Sequence, residues 1–175
     1  MPKEKYDFAG WVTKNDTRCS DGVVIKHGAF KDNDQKTVPL VWNHNHSEPT
    51  NVLGHVMLHN DEKGVYGYGY FNETDEAKHA KELIKHGDIS AMSIGANRIK
   101  KQGQNVIHGM IYEVSLVLRG ANPGALIETV MAHSDDSVET DKAIIYTGNL
   151  IHSADDILEQ QEEEVQHMEA KTIGE

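Results

Sequence analysis

The amino-acid sequence predicts a mainly β fold with peripheral helices, and three observations support that class. Short runs rich in β-branched and aromatic residues recur through the first two-thirds of the chain. Clusters of Asp, Asn, Gly and Pro, which favour turns, separate these runs. Within the same region, residues 75–85 are the segment that carries apolar side chains at clear helical spacing. We therefore expect an α+β domain dominated by strands.

The predicted strands begin close to the N-terminus. Gly64–Phe71 alternates small and aromatic residues, which suits a pleated strand, and residues 61–64 have the composition of a hairpin connection. The other predicted strands, in chain order, are Tyr6–Thr13, Val23–Ile25, Val38–Trp42, Val52–Leu58, Ala91–Ile99 and Val106–Leu118.

Helices are predicted at three places. Asp75–Lys85 has one apolar face, a capping residue at Thr74 or Asn72 before it, and Gly87 to end it. That face is formed by Ala77, Ala80, Leu83 and Ile84. Ala125–Ala132 is predicted as a short helix, and Ala154–Ala170 as an acidic helix with too few apolar residues to be stable alone.

The charge distribution divides the chain into a domain at residues 1–132 and an acidic linker and partly helical tail at residues 133–175. Of 28 acidic and 17 basic residues, 13 acidic and 2 basic ones lie in residues 128–175, which leaves 15 of each in residues 1–127. The main domain is therefore electrically balanced. It lacks the basic face that a nucleic-acid partner requires, so we expect no such partner.

Composition also argues against a membrane or secreted protein. No run of about 18 apolar residues occurs, so we expect no membrane span. The opening MPKEKYDFAGW has no apolar core of a signal peptide. Cys19 is the single cysteine, so an internal disulfide cannot form and a reducing compartment such as the cytoplasm fits best.

Three segments carry residues suited to nucleophilic catalysis. VWNHNHSEP (residues 41–49) ends an apolar strand in His44, AMSIGA (residues 91–96) contains Ser93, and IYEVSLVLRGANPGA (residues 111–125) contains Glu113. A serine hydroxyl needs a base, usually histidine, which a third polar group orients. A carboxylate on an apolar strand needs a partner, and a histidine can supply it. Gly95 would let a substrate backbone approach Ser93.

Each of these residues also has an ordinary structural interpretation. His44 could be a hydrogen-bonded structural histidine, Ser93 a small polar residue of a strand, and Glu113 an edge-strand carboxylate facing water. The residue types alone do not choose between these interpretations and catalysis.

Taken in order, the motifs resemble those of the tailed-phage prohead (capsid maturation) protease family, whose fold is similar to that of the herpesvirus assemblin proteases. The matching segments are Val41–His44 with Pro49 and Leu53–Gly54, then the 75–85 helix with Met92–Gly95, then Glu113–Val117 with Ala121–Ala125. The resemblance covers about residues 5–132. It implies an antiparallel β-barrel of the herpesvirus-protease type, closed or nearly closed, with two or three peripheral helices.

The resemblance also implies roles for individual residues. His44 would be the general base, Ser93 the nucleophile, and Glu113 the group that orients His44. The backbone at Arg119 and Gly120 would form the oxyanion hole, although LRGANPGA differs from the Phe-Pro-Ala-Asn form common in the family. No cofactor is implied.

Alternatives remain for two of these assignments. His46 could replace His44 as the base, since both would lie on one face of a continuing strand. Ser115 is a second serine near the site, although its place in the Glu-Val-Ser-Leu-Val motif favours packing. A metal site in place of a triad would use a His-x-His pair and two further histidines. Those residues are His44, His46, His55 and His59.

The implied function is a serine endopeptidase that cleaves the major capsid protein, in its scaffolding segment, or a separate scaffold protein. It would act in the host cytoplasm, inside the assembling procapsid, and likeness to the assemblins suggests a homodimer. The alternative is a non-catalytic capsid assembly or scaffolding protein with a protease-like fold. The acidic tail suggests a packaging or restraining segment that is removed by self-cleavage.

Overall fold

The computed structural model describes Pro2, residues 5–131 and residues 145–146 of the 175-residue chain. Among these residues there are nine strands and one α-helix, with two short 3-10 turns. The strands are β1 (Phe8–Lys14), β2 (Val24–Ile25), β3 (Thr37–Trp42), β4 (Val52–Asp61), β5 (Gly64–Phe71), β6 (Ala91–Gln102), β7 (Asn105–Val117), β8 (Ile127–Met131) and β9 (Ile145–Tyr146), and the helix α1 is Asp75–His86.

All nine strands belong to one sheet. Eight of them follow the order β2-β7-β3-β4-β5-β1-β8-β9, and the ninth, β6, is an additional partner of β7. β4 and β5 form the antiparallel hairpin that the turn residues predict, and β6 and β7 form a second, longer one. The mainly β class is therefore confirmed, and the strand predictions agree with β1 to β7 to within a few residues at their ends.

The prediction of a closed antiparallel barrel is not confirmed. Over the described residues the sheet does not close into a barrel, and β2 and β3 both run parallel to β7. Between β6 and the chain before β8 there is an isolated bridge, Ala91 to Leu126, rather than a ladder. Parallel pairing of β3 with β7 needs a long crossover, and the intervening β4, β5, α1 and β6 provide it.

The predicted helix at Ala125–Ala132 is wrong, because residues 127–131 form β8. β8 pairs antiparallel with β1, and Ile127 and Val130 are buried. The β-branched residues Ile127, Thr129 and Val130 favour an extended backbone, which here adds a strand to the sheet beside β1. The described residues thus contain one α-helix rather than two or three.

Helix α1 has the caps that the sequence predicts. The Thr74 side chain accepts a hydrogen bond from the Ala77 N–H at 3.3 Å, and Gly87 ends the helix with φ of 87°. Ala77, Ala80 and Ile84 are buried, and the helix packs on β4 and β5. The helix thereby covers one face of the hairpin and completes the core there.

In the part of the chain that is described, buried apolar side chains pack into one cluster against the sheet. Its fully buried side chains include Phe8, Leu40, Leu58, Met92 and Leu116, which come from five different strands. Among the described residues no helix is long and apolar enough to cross a membrane.

The division of the chain near residue 132 stays a prediction. The proposed linker and the acidic helix at Ala154–Ala170 lie outside the described residues. Two residues of that region are described, Ile145 and Tyr146, and they pair with Val130 and Met131 as β9.

Candidate active site

The pairing of β6 with β7 aligns the central residues of two sequence motifs. Ser93 is opposite Ser115, and Gly95 is opposite Glu113. Paired residues of adjacent strands point to the same face of a sheet. The serine of one motif and the carboxylate of the other are therefore on the same face, two positions apart along the strands.

His44 reaches this face through a sharp turn at the end of β3. Trp42 pairs with Leu116 of β7, and the Asn43 N–H donates to the Leu116 carbonyl at 2.9 Å. Asn43 and His44 then take left-handed backbone conformations, with φ of 48° and 54°. Such angles are uncommon for non-glycine residues and occur at functional sites when the surrounding structure holds them. β3 ends at Trp42, as predicted, so His44 and His46 do not lie on a continuing strand, the condition under which they would share one face.

The imidazole of His44 lies between a hydroxyl and a carboxylate. Its Nε2 is 2.9 Å from Ser93 Oγ, and its Nδ1 is hydrogen-bonded to Glu113 Oε1. The His44 side chain is 40% exposed, whereas that of Glu113 is 3% exposed. A carboxylate accepting from Nδ1–H leaves the Nε2 lone pair directed at the hydroxyl. This arrangement can deprotonate Ser93 on the side open to solvent.

Ser115 is buried behind this group and contacts two of its members. Its hydroxyl accepts a hydrogen bond from the His44 backbone N–H at 2.9 Å and donates to Glu113 Oε2 at 2.8 Å. The residue has no exposed surface. A substrate therefore cannot reach it, which argues against Ser115 as an alternative nucleophile. The sequence feature that indicates a role for Ser115 beside the site is its position two residues after Glu113, which puts both side chains on the same face of a strand.

Gly95 makes room for the carboxylate rather than for a substrate. A Cβ at Gly95 would lie 2.5 Å from Glu113 Oε1 and 2.8 Å from Tyr112 Cζ. The expectation that Gly95 lets a substrate backbone approach Ser93 is therefore replaced by a different reason for a glycine. Its missing side chain is what allows Glu113 to sit beneath His44.

His46 approaches the same carboxylate. Its Nε2 is 3.7 Å from Glu113 Oε1, and its ring makes an edge contact with Tyr112, with centroids 6.0 Å apart. Of the two histidines, His44 is the one hydrogen-bonded to Ser93 Oγ. The geometry therefore favours His44 as the base and places His46 beside the carboxylate.

The segment predicted to form the oxyanion hole runs beside the nucleophile strand. A Cβ at Gly120 would lie 2.5 Å from the carbonyl oxygen of Met92, the residue before Ser93. Arg119 is exposed and Gly120 is half-buried. Gly120 thus packs against the residue before Ser93, and the role of the Arg119–Gly120 backbone as an oxyanion hole stays a prediction.

The four histidines of the metal alternative are not gathered at one point. His55 stacks on Tyr70 with ring centroids 4.9 Å apart, and His59 Nδ1 lies 3.3 Å from Asp34 Oδ1. In the part of the chain that is described, no group of three or more His, Cys, Asp or Glu side chains could hold a metal ion. The structure therefore gives the metal alternative no support.

A hydroxyl, an imidazole and a carboxylate joined in this order by hydrogen bonds form the arrangement of serine peptidases. A protein-family model described as "Caudovirus prohead serine protease" matches residues 4–140 of the chain. The chain therefore belongs to the caudovirus prohead serine protease family.

Among solved structures, the chain is similar to the protease of the herpesvirus KSHV in complex with a hexapeptide phosphonate inhibitor. The TM-score is 0.53 and the sequence identity 14%, over 71% of this chain. The chain spans 64% of that herpesvirus protease chain. At this identity the likeness shows the fold alone. A search of curated proteins found no match.

Proposed function

We propose that the chain is a serine endopeptidase that cleaves the major capsid protein of a tailed phage, in its scaffolding segment, or a separate scaffold protein, during prohead maturation. The observation that carries this proposal is the His44 imidazole, which is hydrogen-bonded to Ser93 Oγ on one side and to Glu113 on the other. The proposed place of action is the assembling procapsid in the host cytoplasm, as family membership suggests.

In the proposed acylation step, Ser93 Oγ attacks the carbonyl carbon of the scissile peptide bond. His44 Nε2 takes the hydroxyl proton as the C–O bond forms, and Glu113 stabilises the resulting imidazolium. His44 then gives this proton to the amide nitrogen as the C–N bond breaks. The new amino terminus leaves, and the other half of the substrate remains as an ester on Ser93.

In the proposed deacylation step, water takes the place of the amine. The water oxygen attacks the ester carbonyl carbon while His44 Nε2 accepts a proton from the water. The C–O bond to Ser93 breaks, and His44 returns the proton to Ser93 Oγ. Because the base is reset at the end, one active site can turn over repeatedly.

The negative charge on the attacked carbonyl oxygen needs hydrogen-bond donors in both steps. We assign this role to backbone N–H groups of the Arg119–Gly120 segment, because Gly120 packs against the Met92 carbonyl. Such donors are typically worth about 10² to 10³ in kcat. They act through the backbone, so side-chain substitutions at Arg119 test them poorly.

Two further parts of the proposal rest on charge and family likeness. The acidic segment at residues 133–175 would direct packaging or restrain activity until assembly, and it would be removed by self-cleavage. The active form would be a homodimer. Intact mass and sedimentation of the active enzyme test these two points independently of catalysis.

The test is co-expression of the chain with its own capsid protein, followed by gel analysis of capsid processing. Ser93→Ala and His44→Ala should each abolish processing while the protein stays soluble. Ser20→Ala is the matched control, because Ser20 is an exposed serine outside the site and its loss should leave processing unchanged.

Processing that survives Ser93→Ala would contradict the assigned nucleophile. Absence of processing by the unmodified chain would favour the alternative, a capsid assembly protein that keeps a protease fold without turnover.

A further inference from the structure

A cleft adjoins the proposed nucleophile, in the space between β6 and β1. Its volume is about 250 Å³, and Ser93 and Ile94 of β6 line it together with Val12 of β1 and Ile25 of β2. This size is slightly below the range of about 300–1,000 Å³ typical of sites for small-molecule ligands. The cleft therefore suits one amino-acid side chain rather than a cofactor.

The cleft exists because two strands that face each other are not paired. Among the described residues, β1 is hydrogen-bonded to β5 and β8, and β6 to β7, with no ladder between β1 and β6. Val12 on β1 and Ala96 on β6 line opposite walls of the space between them. The gap is thus built from backbone that the sheet holds in place.

The walls of the cleft are predominantly uncharged. Phe30, Ala96, Ile99 and Val106 add apolar surface to it. Cys19 also lines it, and burial raises the pKa of the Cys19 thiol, so this group stays protonated at neutral pH.

The charged residues of the lining are Asp21 and Lys101, both of them exposed. The Asp21 carboxylate accepts the N–H of Val23 at 3.2 Å. The charged groups therefore lie toward solvent, and the interior of the cleft offers contacts for an apolar side chain.

The position of the cleft selects which substrate residue it would take. Attack requires the scissile carbonyl carbon about 3–3.5 Å from Ser93 Oγ. The side chain next to that carbonyl belongs to the residue on the amino-terminal side of the cleaved bond. Resting on the proposed function, we infer that the cleft is the specificity pocket for this residue and takes a neutral apolar side chain of about leucine to phenylalanine size.

The physical reason for this specificity is desolvation. A charged side chain would lose its hydration against a mainly apolar lining, because the uncharged polar side chains Thr13 and Asn122 there are already hydrogen-bonded to each other. An alanine side chain would leave most of the cleft unfilled. In apolar pockets, one methylene group changes kcat/KM by roughly 10- to 200-fold, so a pocket of this kind discriminates measurably.

The experiment uses N-acylated diphenyl α-aminoalkylphosphonates as probes. Ser93 Oγ forms a bond to phosphorus, one phenoxide leaves, and the serine proton passes through His44 to give phenol. Five probes carry the side chain of leucine, phenylalanine, alanine, aspartate or lysine. The second-order rate of labelling of the full chain is followed by intact mass, and Ser93→Ala shows that labelling is at Ser93.

The leucine and phenylalanine probes should label at least about tenfold faster than the other three. Ile99→Ala should widen the cleft and shift preference from leucine towards phenylalanine. Ile107→Ala is its matched control. Both isoleucines lie on the β6–β7 hairpin with similar exposure, 40% for Ile99 and 39% for Ile107, but Ile107 does not line the cleft.

Ala96→Leu should fill the cleft, slowing the leucine and phenylalanine probes while the alanine probe keeps its rate. Retained labelling by the alanine probe shows that this variant is folded. Equal labelling rates for all five probes would overturn the inference and leave the proposed function standing. Labelling of Ser93 by none of them would contradict the proposed function, and the inference with it.

Discussion

The side chain of Ser115 accepts a hydrogen bond from the backbone N–H of His44 at 2.9 Å, across 71 residues of sequence. The same hydroxyl donates to Glu113 Oε2 at 2.8 Å. One buried group therefore fixes the left-handed backbone at His44 and the carboxylate beneath its ring. Ser115 is a positioning residue: its hydroxyl is hydrogen-bonded to His44 and Glu113, and in the proposed mechanism it does not contact the substrate.

Ser115→Ala should lower kcat and leave KM nearly unchanged. The substitution leaves the His44 N–H and a carboxylate oxygen of the buried Glu113 without their partner, at a cost of about 1–3 kcal/mol. If that cost falls on the geometry of His44, kcat drops by about 5- to 150-fold. Steady-state kinetics on a peptide substrate measure the split between kcat and KM.

Ser90→Ala is the matched control for this variant, because Ser90 is also a buried serine and directly precedes β6, the strand that carries Ser93. It should leave kcat within about threefold of the unmodified chain. A Ser115→Ala enzyme with normal kcat and reduced stability would show that Ser115 contributes packing alone.

Gly95→Ala should inactivate the enzyme without unfolding it. The added Cβ would lie 2.5 Å from Glu113 Oε1, so the carboxylate must move away from His44. Misplacement of a catalytic group by about 1 Å can cost about 100-fold in rate. Activity per folded molecule, with folding checked by circular dichroism, measures this effect.

The control for the Gly95 substitution is Gly103→Ala in the β6–β7 turn. A Cβ there meets no atom within 4 Å, and the cost is limited to a positive φ of 60°. That variant should lose a little stability and keep full activity. If Gly95→Ala were as active as Gly103→Ala, the close packing of Gly95 on Glu113 would be irrelevant to catalysis.

Glu113→Gln and His46→Ala should differ greatly in effect. Replacing the carboxylate removes the charge that stabilises the His44 imidazolium and can fix the wrong tautomer, for which a loss of about 10⁴-fold in kcat is expected.

His46 is 49% exposed, and its Nε2 lies 3.7 Å from Oε1 of the same carboxylate. Because the His46 ring is half exposed and lies beyond hydrogen-bond distance of the carboxylate, we expect the pair to contribute about 1 kcal/mol at most, so His46→Ala should change kcat by less than about tenfold. A larger loss of kcat for His46→Ala than for His44→Ala would identify His46 as the base.

Asn33→Ala should destabilise the fold by about 1–3 kcal/mol. The buried Asn33 amide donates to the Ile111 carbonyl and accepts from the Ile111 N–H, both at 2.9 Å, and so serves as a pairing partner for β7. Its removal leaves both backbone groups without that partner. The free energy of unfolding from urea titration measures the change, with the slope m expected to stay constant.

Asn97→Ala provides the comparison for stability, since Asn97 is exposed on β6. Its effect should stay within about 0.5 kcal/mol. Similar losses for the two variants would mean that the buried amide of Asn33 has no special role.

Local sequence patterns predicted most elements of the fold. The alternation in Gly64–Phe71 and the turn residues before it gave the β4–β5 hairpin, and Thr74 and Gly87 gave the ends of α1. These features depend on neighbours in sequence, so local pattern is sufficient. Local pattern does not predict the strand at residues 127–131, because its extended conformation depends on pairing with β1.

For the candidate site, the sequence predicts the reactive residues but not the contacts that hold them in place. The residue types and the order of motifs led to His44, Ser93 and Glu113, which the structure brings into hydrogen-bond contact. The sequence did not reveal that Ser115 binds the His44 backbone. Nor did it reveal that Gly95 accommodates Glu113, because both facts depend on the register between β6 and β7.

The sequence by itself determined the mainly β character, the single strong helix with its caps, and the three segments that carry the reactive groups. These properties follow from side-chain periodicity and turn chemistry within about ten residues. The tertiary structure alone decided that β3 runs parallel to β7, that the sheet stays open, and that His44 turns back over Glu113. Strand pairing joins residues far apart in the chain, and a shift of one position would turn each side chain to the other face, so only the folded sheet fixes it.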